Sequence, residues 1–462
     1  MIDYLYIENF KCITKQKFEF SRINIFCGPN NSGKSTVLAV LNLIAQTLHD
    51  NPTDASLVLN GKYENLGTFH DFIRNHNIRS KFCFEIGLGS FNFRYEYKYR
   101  TQRREIELIG FSLRENDKPI YSYISKEDNY DVKIGGKSLE KFETSKSKRR
   151  PFIKGLILLD MVLRSLRMSG THHSKQLESN IEDNKYSDEI NTFINADRTL
   201  MKAFSRLRRA FDGFDTLGAF RERPTRTYMF SGESPIQVGR TGASAIDMLV
   251  SDKSRRGSQN KNLVRKTSEW FIKSGMAAGL EINALTSRHY EICIKDESKG
   301  QHNLCDVGFG CSQVLPVLVS TFAFESRNAY DELGGGSILI IQEPEIHLHP
   351  NAQAELGTLF ANASQAGQIF IETHSPYLIL RLQSEVAQEH ILANSINTFY
   401  VQRKKDGAAF THMHLLNNGL FKDKWPEGFF PHRHEETLNL ARFASKKLTK
   451  SSSNNSSPKK KK

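Results

Sequence analysis

The chain has 462 residues, of which 39% are hydrophobic, and it carries a formal net charge of +13 at pH 7. This length favours one core domain with insertions, or two domains. No apolar run approaches the ~20 residues that cross a bilayer, and no signal-peptide pattern precedes the first motif, so we expect a cytoplasmic protein without membrane contact. Six cysteines without a C-x-x-C pair indicate reduced thiols rather than a disulfide or zinc scaffold. The excess of basic residues favours a polyanionic partner, nucleic acid first.

The N-terminal residues predict two strands, Tyr4–Ile7 and Phe18–Phe26, followed by a glycine-rich turn and a helix from Thr36 to Leu48. The turn reads G-P-N-N-S-G-K-S-T and fits the G-x-x-x-x-G-K-[ST] pattern of a phosphate loop. Its glycines let successive backbone N–H groups surround a β-phosphate at a helix N-terminus. The sequence therefore predicts ATP binding by these residues: Gly28, Pro29, Asn30, Asn31, Ser32, Gly33, Lys34, Ser35 and Thr36.

Two side chains of this loop have distinct predicted roles. Lys34 would reach the β- and γ-phosphates, and the Ser35 hydroxyl would bind Mg²⁺. We expect Lys34 to be exposed until phosphates arrive, so that its removal would abolish ATP binding and leave the fold intact.

Residues 80–134 alternate between apolar and polar positions and are rich in aromatic and β-branched side chains, which predicts an antiparallel sheet. Basic residues lie on or beside these strands and alternate with Tyr95, Tyr97 and Tyr99. They could form a nucleic-acid-binding face, or they could be a solvated sheet edge protected by charge. The basic residues are Arg94, Lys98, Arg100, Arg103 and Arg104.

A polar, basic linker at 138–150 precedes two predicted helices, Pro151–Met168 and Ser187–Phe214. The second helix carries Arg206, Arg208 and Arg209, which are further candidates for contact with phosphate. Beyond them, we expect helices at 244–250 and 262–275 and a β-hairpin at 281–295. The Ser/Asn-rich and Lys-rich end of the chain has the composition of a disordered tail.

Two apolar strands in the C-terminal half end in polar residues. Ser337–Gln342 contains consecutive aliphatic residues, which indicates a strand buried on both faces of a parallel sheet. Glu343 at its carboxyl end is placed to polarise the attacking water, since open α/β sheets bind ligands at that edge. The strand Ile369–Glu372 ends next to His374, which we interpret as a γ-phosphate sensor.

A third motif, D-V-G-F-G-C-S-Q, begins at Asp306 and is predicted to open a helix from Ser312 to Ala323. Gly310, Ser312 and the free N–H groups there would form a second anion-binding helix N-terminus. One chain cannot easily direct both helix ends at the same triphosphate, whereas a second subunit can.

These motifs in this order resemble the ABC-type ATPase heads, and in particular the SMC and OLD-family proteins. The segments that carry the resemblance are Y-L-Y-I-E-N-F-K, G-P-N-N-S-G-K-S-T, D-V-G-F-G-C-S-Q-V-L-P, E-P-E-I-H-L-H-P and E-T-H-S-P. K-W-P-E-G-F-F at 424–430 looks like the compact OLD-like ATPases of bacterial anti-phage systems such as Septu and PARIS. The resemblance implies an α/β P-loop NTPase head with a β-rich and a helical lobe, and ATP and Mg²⁺ sandwiched between two heads.

One position departs from the family. An acid normally stands where Gln342 is found and helps to hold Mg²⁺ through water. A glutamine can order that water without supplying charge, from which we expect slow hydrolysis, with Glu343 as the only carboxylate at the strand end.

The resemblance implies four regions: an N-terminal ATPase half at 1–135, a helical insertion at 136–216, a C-terminal ATPase half at 217–440 and a disordered basic tail at 441–462. The predicted function is an ATPase whose ATP-dependent dimerisation, or higher homo-oligomerisation, gates a separate effector protein, a nuclease or toxin, in defence against phage or foreign DNA. A DNA-repair ATPase of the SMC or recombination type is the alternative. A metal-dependent nuclease using His432, His434, Glu435 and Glu436 is a third possibility from another class.

Overall fold

A computed structural model of the chain describes residues 1–49, 55–125, 130–138, 153–154, 157–158, 187–298, 300–328 and 337–425. Several predictions lie outside these residues: the basic linker beyond residue 138, most of the helix Pro151–Met168, the tail at 441–462, and the four residues of the nuclease hypothesis. The motif at 424–430 also lies mostly outside them, since only its first two residues are described.

An antiparallel sheet is built largely from the N-terminal third of the chain. Its spatial order is β2-β1-β4-β5-β6-β7-β8-β9, which confirms the sheet predicted from residues 80–134. The strands are β1 (Tyr4–Phe10), β2 (Ile13–Glu19), β4 (Phe82–Leu88), β5 (Phe91–Arg100), β6 (Glu105–Glu115), β7 (Lys118–Ser125), β8 (Tyr130–Ile134) and β9 (Lys137–Ser138).

A second sheet joins the two ends of the chain. Its order is β12-β17-β18-β3-β19-β20, and all neighbouring strands are parallel except the last pair. Parallel neighbours place their carboxyl ends at one edge, so this sheet gathers the ends of β3, β17 and β18. The strands are β3 (Ile23–Cys27), β12 (Asp215–Leu217), β17 (Ile338–Gln342), β18 (Gln368–Thr373), β19 (Ile396–Lys404) and β20 (Gly407–Met413).

The remaining described strands form two small antiparallel groups. β10 (Ile153–Lys154) pairs with β11 (Ile157–Leu158), and β15 (His289–Lys295) pairs with β13 (Tyr228–Met229), β14 (Gly279–Ala284) and β16 (Gln301–Asn303). The helices are α1 (Lys34–His49), α2 (Phe69–Phe72), α3 (Ser187–Phe211), α4 (Ala245–Ser254), α5 (Leu263–Ser274), α6 (Phe309–Asn328), α7 (Pro350–Ala363) and α8 (Pro376–Ala387), and short 3₁₀ turns span Arg74–His76, Gly257–Gln259 and Ala393–Ser395.

The parallel sheet is buried on both faces. Along β17, Ile338 and Ile340 belong to a core shared with α1 and the antiparallel sheet. Leu339 and Ile341 belong to a second core shared with α4 to α8. This alternation confirms the reading of the aliphatic run as a strand without a solvent face, because burial on both faces removes the need for polar positions.

Three sequence predictions of local structure are wrong. The strand Phe18–Phe26 is divided into β2 and β3, because residues 20–22 turn the chain from the antiparallel sheet into the parallel one. Within the predicted helix Pro151–Met168, the four described residues form the β10–β11 pair. The helix predicted to begin at Ser312 begins at Phe309. The helix predicted at Ser187–Phe214 is confirmed as α3, and the β-hairpin at 281–295 as β14 and β15.

Strand β17 allows a test of the two-core description. Ile340→Ala leaves a cavity in the core that the parallel sheet shares with α1 and the antiparallel sheet, so we expect a loss of about 2–5 kcal/mol in the free energy of unfolding. Leu392→Ala, at a side chain that is 69% exposed, is the control and should change stability by less than about 0.5 kcal/mol. Urea denaturation followed by circular dichroism compares them. Equal stability of the two variants would contradict the two-core description.

Candidate active site

The phosphate-loop segment connects β3 to α1, and its backbone is specialised for a tight turn. Gly28 has φ of +142° and Gly33 has φ of +106°. A Cβ on Gly28 would lie 2.2 Å from the carbonyl oxygen of Val401 in β19, so no larger residue fits there. Asn31 adopts the left-handed conformation with φ of +59°, which asparagine tolerates better than most residues. The loop geometry is therefore set by the sheet before any nucleotide binds.

Lys34 is already engaged in the structure. Its Nζ donates hydrogen bonds to the carbonyl oxygens of Gly28 (3.2 Å) and Pro29 (2.8 Å), and the residue is 4% exposed. Burial lowers the pKa of Lys34, against the opposing effect of the Glu372 and Glu343 carboxylates. The expectation that Lys34 is exposed without phosphates is wrong, because the loop carbonyls hold its ammonium group inside the turn.

The other loop side chains divide by exposure. Pro29, Asn30, Asn31 and Ser35 are exposed, whereas Gly28, Ser32 and Thr36 are buried. The buried Ser32 hydroxyl has no hydrogen-bond partner among the described residues. A buried donor without a partner is costly, so a phosphate oxygen is a fitting acceptor for it. The buried Thr36 hydroxyl instead lies 3.3 Å from the Cys12 sulfur.

Glu372 is a site residue that the sequence reasoning missed. The Ser35 hydroxyl donates to one carboxylate oxygen of Glu372 at 2.8 Å, and the Gln342 amide donates to the other at 2.9 Å. Gln342 and Glu372 are direct partners in the parallel register of β17 and β18. Burial raises the pKa of Glu372, while the hydrogen bonds from Ser35 and Gln342 oppose the rise.

Glu343 is therefore the carboxylate at the end of β17 but not the only one at the site, because Glu372 on the neighbouring strand β18 lies beside Gln342. Glu372 is part of the E-T-H-S-P segment, but only strand pairing places it beside Gln342. Aligning the carboxyl ends of the two apolar strands in the sequence would have identified Glu372 as a site residue, since parallel neighbours end at the same edge.

Glu343 and His374 are brought together, as the motifs predicted. His374 Nε2 lies 3.7 Å from Glu343 Oε1, and both side chains are 31% exposed. His374 Nε2 has no hydrogen-bond partner among the described residues. Burial lowers the pKa of His374, and the charge of Lys34 lowers it further against the opposing effect of Glu343, which favours the neutral ring. A neutral ring with an unused nitrogen can donate to or accept from a group in the cleft.

Arg221 connects the end of β17 to the first turns of α6. Its guanidinium donates to the carbonyl oxygens of Gln342 (2.7 Å), Glu343 (3.0 Å) and Gln313 (3.3 Å). Burial lowers the pKa of Arg221 to about 10, so it remains cationic at neutral pH. In the sequence it was one of several arginines in a loop, and nothing in the local pattern distinguishes it.

Glu345 holds the backbone of His374 in place. One oxygen of Glu345 accepts the backbone N–H of His374 at 2.5 Å. Burial raises the pKa of Glu345, and it is buried without an ion-pair partner within 4 Å among the described residues. Its role here is to hold the backbone that carries His374.

Gly310 and Ser312 lie within the first turn of α6. A Cβ on Gly310 would lie 2.7 Å from the carbonyl oxygen of His347, so this glycine permits close packing on the segment after Glu343. The Ser312 hydroxyl donates to the Phe309 carbonyl at 3.0 Å and the residue is 6% exposed. Ser312 is therefore not at the open helix end, which lies at the exposed Gly308 and Phe309. Among the described residues, no hydrogen bond joins either residue to the phosphate loop.

The basic strands do not form the interleaved face considered above. Tyr95 and Tyr97 are fully buried, so they cannot stack on bases. Arg94 pairs with Glu96 (3.1 Å) and Glu85 (3.4 Å), which lie on its own and the neighbouring strand. Glu107 and Glu105 similarly pair with Arg100 and Arg103. The charge on these strands is largely neutralised locally, which favours the alternative of a solvated, charged sheet surface.

Within the described part of the chain, no helix combines the length and apolar composition that crossing a bilayer requires. Over the same residues, no group of three or more His, Cys, Asp or Glu side chains converges as around a structural metal ion. Mg²⁺ held by nucleotide phosphates, a hydroxyl and a carboxylate does not need such a group.

Residues 23–381 match the family described as "AAA domain, putative AbiEii toxin, Type IV TA system". The chain belongs to this family. Together with the strand, phosphate loop and helix at the edge of a parallel sheet, this membership confirms the predicted α/β P-loop NTPase fold. No sequence among the curated proteins matches the chain.

Among solved structures, this AAA-family chain is similar to heads of SMC proteins. An SMC head bound to the C-terminal winged-helix domain of ScpA is 12% identical, with 90% of this chain and 98% of that one covered and a TM-score of 0.38. The Pyrococcus furiosus SMC head with an extended coiled coil, bound to the C-terminal domain of ScpA, is 14% identical, with 96% of this chain and 99% of that one covered and a TM-score of 0.36. The Thermotoga maritima SMC head domain is 11% identical, with 89% of this chain and 98% of that one covered and a TM-score of 0.35. TM-scores below 0.5 support no functional conclusion.

Because Lys34 is buried and hydrogen-bonded, its removal should affect both ATP binding and stability. Lys34→Ala removes the ammonium group that binds phosphates and also leaves the Gly28 and Pro29 carbonyls without a donor. We expect ATP binding to be lost in calorimetry and the melting temperature to fall by a few degrees, as for a loss of about 1–3 kcal/mol.

Lys34→Met is the matched variant, because it removes the same ammonium group and its hydrogen bonds but keeps most of the buried aliphatic volume. It should lose ATP binding equally and melt closer to the wild type. Retention of wild-type ATP affinity in both variants would contradict the phosphate-loop assignment.

Proposed function

We propose that this chain binds ATP with Mg²⁺ and hydrolyses it at the edge where β3, β17 and β18 end. The observation that carries this proposal is the convergence of Ser35, Glu372 and Gln342 in one hydrogen-bonded group beside the phosphate loop. Glu343 and His374 lie at the same edge, 3.7 Å apart. A phosphate-binding loop, a polar group suited to Mg²⁺ and an acid–histidine pair are the parts that phosphoryl transfer to water needs.

The roles of the residues follow from their surroundings. The backbone N–H groups of residues 30–36 bind the phosphates, and Lys34 exchanges the two loop carbonyls for phosphate oxygens. Ser35, Glu372 and Gln342 fit Mg²⁺, which when bound neutralises charge on the β- and γ-phosphates. Glu343 accepts a proton from the attacking water, and neutral His374 contacts the γ-phosphate from the same side.

The open end of α6 supports ATP-dependent dimerisation. Phe309 is 58% exposed beside the exposed Gly308, and no hydrogen bond among the described residues joins this helix end to the phosphate loop of its own chain. In the proposed assembly, the open end of α6 at Gly308 and Phe309 from one copy meets the ATP bound by the other copy, and Gly310 and Ser312 support this end from the first turn of the helix. Arg221 would connect this contact to Glu343 through its hydrogen bonds to both segments.

We further propose that dimerisation gates a separate effector protein in defence against phage or foreign DNA. The family description, which refers to a toxin and a toxin–antitoxin system, supports a role of this kind. A nuclease or toxin is the expected effector class, and a repair ATPase acting on DNA is the competing function.

Contact with nucleic acid is favoured by one element, the exposed face of α3. Its basic side chains recur at helical spacing and have no carboxylate within 4 Å among the described residues, unlike those on β5. Since unpaired cations release counterions from a polyanion on contact, this face is the best candidate for binding its phosphates. The basic residues are Arg198, Lys202, Arg206, Arg208 and Arg209.

Glu343→Gln tests the hydrolytic site. The change removes the proton acceptor and keeps the shape, so we expect turnover to fall by about 10²–10⁴ while ATP binding survives. With ATP and Mg²⁺, light scattering should show a persistent dimer. Hydrolysis at the wild-type rate would mean that another group is the base.

Gly308→Glu tests the dimer contact separately. A Cβ on Gly308 meets nothing within 4 Å, so the side chain is tolerated in the monomer but places negative charge where the partner's γ-phosphate is expected. We expect ATP binding to persist and ATP-dependent dimerisation to be lost in the Glu343→Gln background. Gly308→Ala is the control and should still dimerise. Dimerisation of both variants would contradict this contact.

The α3 face predicts salt-dependent binding of DNA. Affinity should fall by roughly 0.7–0.9 log units per phosphate contact for each log unit of salt, and Arg198→Glu with Arg208→Glu should lower that slope. Arg256→Glu with Arg288→Glu, an equal change in charge at exposed positions outside α3, is the control. If the protein does not bind DNA at low salt, or if all variants show the same salt dependence of DNA affinity, α3 is excluded as the DNA contact. Either result would favour an ATPase that responds to a protein rather than to nucleic acid.

A further inference from the structure

Glu372 occupies an unusual position for a buried acid. It is 5% exposed, and it lies on the strand between β17, which ends at Gln342, and β3, which leads into the phosphate loop. Its parallel partners are Gln342 on one side and Phe26 on the other. Both neighbouring strands are thus held in register around it, so its carboxylate has little freedom to leave the site.

Both oxygens of this carboxylate are used by groups that the proposed function assigns to Mg²⁺. Oε1 accepts the Ser35 hydroxyl and Oε2 accepts the Gln342 amide. A hydroxyl has one hydrogen and two lone pairs, so the Ser35 hydrogen can stay on Glu372 while its lone pairs face a cation. Glu372 therefore holds Ser35 in the orientation that a metal ligand needs.

The charge of the site points the same way. Ser35 and Gln342 are neutral, and the Glu343 carboxylate lies towards His374. Lys34 acts on the Glu372 carboxylate electrostatically, but no Lys, Arg or His side-chain nitrogen lies within 4 Å of that carboxylate in the described part of the chain. A buried carboxylate without a direct cationic partner is unfavourable, and a divalent cation at Ser35 would compensate it. Mg²⁺ in phosphate-binding sites is usually accompanied by one or two carboxylates.

We infer that Glu372 is the carboxylate of the Mg²⁺ site, in the place of the acid that Gln342 does not provide. The inference rests on the proposed function. Glu372 supplies the negative charge and orients the Ser35 hydroxyl, whereas Gln342 positions Glu372 by donating to its second oxygen. In this chain the acid of the Mg²⁺ site therefore lies on β18, at the position paired with Gln342 of β17. Glu343 then has no part in holding Mg²⁺ and can act on the attacking water.

The test separates binding of ATP from binding of Mg²⁺. ATP affinity is measured by calorimetry in EDTA and in Mg²⁺ for the wild type and for Glu372→Gln. The variant removes a negative charge near the phosphates, so affinity in EDTA should stay the same or increase. Its Mg²⁺ affinity in the presence of ATP should fall by about 10–100-fold, as for removal of a group that orients a metal ligand. Electron paramagnetic resonance of Mn²⁺ reads the same loss without hydrolysis.

Two further variants define the role of the charge. Gln342→Glu combined with Glu372→Gln transposes the carboxylate across the β17–β18 pair and should recover much of the metal affinity. Glu345→Gln removes another buried carboxylate, one that contacts the His374 backbone rather than Ser35, and should leave the Mg²⁺ dependence of ATP affinity unchanged. If Glu372→Gln fails to fold, Glu372→Asp keeps the charge but withdraws it from Ser35, and an intermediate loss of metal affinity is expected.

The outcomes are distinguishable. Wild-type metal affinity in Glu372→Gln, or an equal loss in Glu345→Gln, would overturn the assignment of Glu372 and leave ATP binding intact. Absence of ATP binding by the wild-type chain in both EDTA and Mg²⁺ would overturn the proposed function itself.

Discussion

The parallel register of three strands is the constraint on which the site depends. β18 lies between β17 and β3, and the pairings Gln342 with Glu372 and Thr373 with Cys27 align the ends of all three strands. Parallel pairing sends every strand end to one edge, and hydrophobic burial on both faces fixes the register. The two cores therefore position the polar residues, because a shift by one residue would turn each aliphatic side chain of β17 to the opposite face.

Several polar groups at this edge have hydrogen bonds that a ligand can replace, or lack a partner that a ligand can supply. Lys34 satisfies its ammonium group with loop carbonyls, while Glu372 is held by two neutral donors and Ser32 has a buried hydroxyl without a described partner. Each of these groups has an interaction that a nucleotide phosphate or a divalent cation can replace or complete. Such a site exchanges internal hydrogen bonds for ligand contacts, which limits the reorganisation needed when ATP binds.

The distribution of basic residues shows why net charge alone is a weak guide to partners. A value of +13 suggested a polyanion, and the arginines of β5 looked suitable beside three tyrosines. In the folded sheet, cross-strand glutamates pair with those arginines and two of the tyrosines are in the core. On the exposed face of α3, by contrast, basic side chains at helical spacing have no carboxylate within 4 Å among the described residues.

The sequence by itself determined the parts of this protein that depend on local chemistry. The phosphate loop, the aliphatic strand before Glu343, the antiparallel region and α3 follow from glycine placement and from periods of two and 3.6 residues, which act between near neighbours. Tertiary structure decided the rest. Glu372 and Arg221 acquire their contacts only when segments separated by about 120 to 340 residues come together, since no local pattern encodes which side chain an acid or a guanidinium will meet. A hydrogen bond across such a separation is set by register and burial, and these are properties of the assembled sheet.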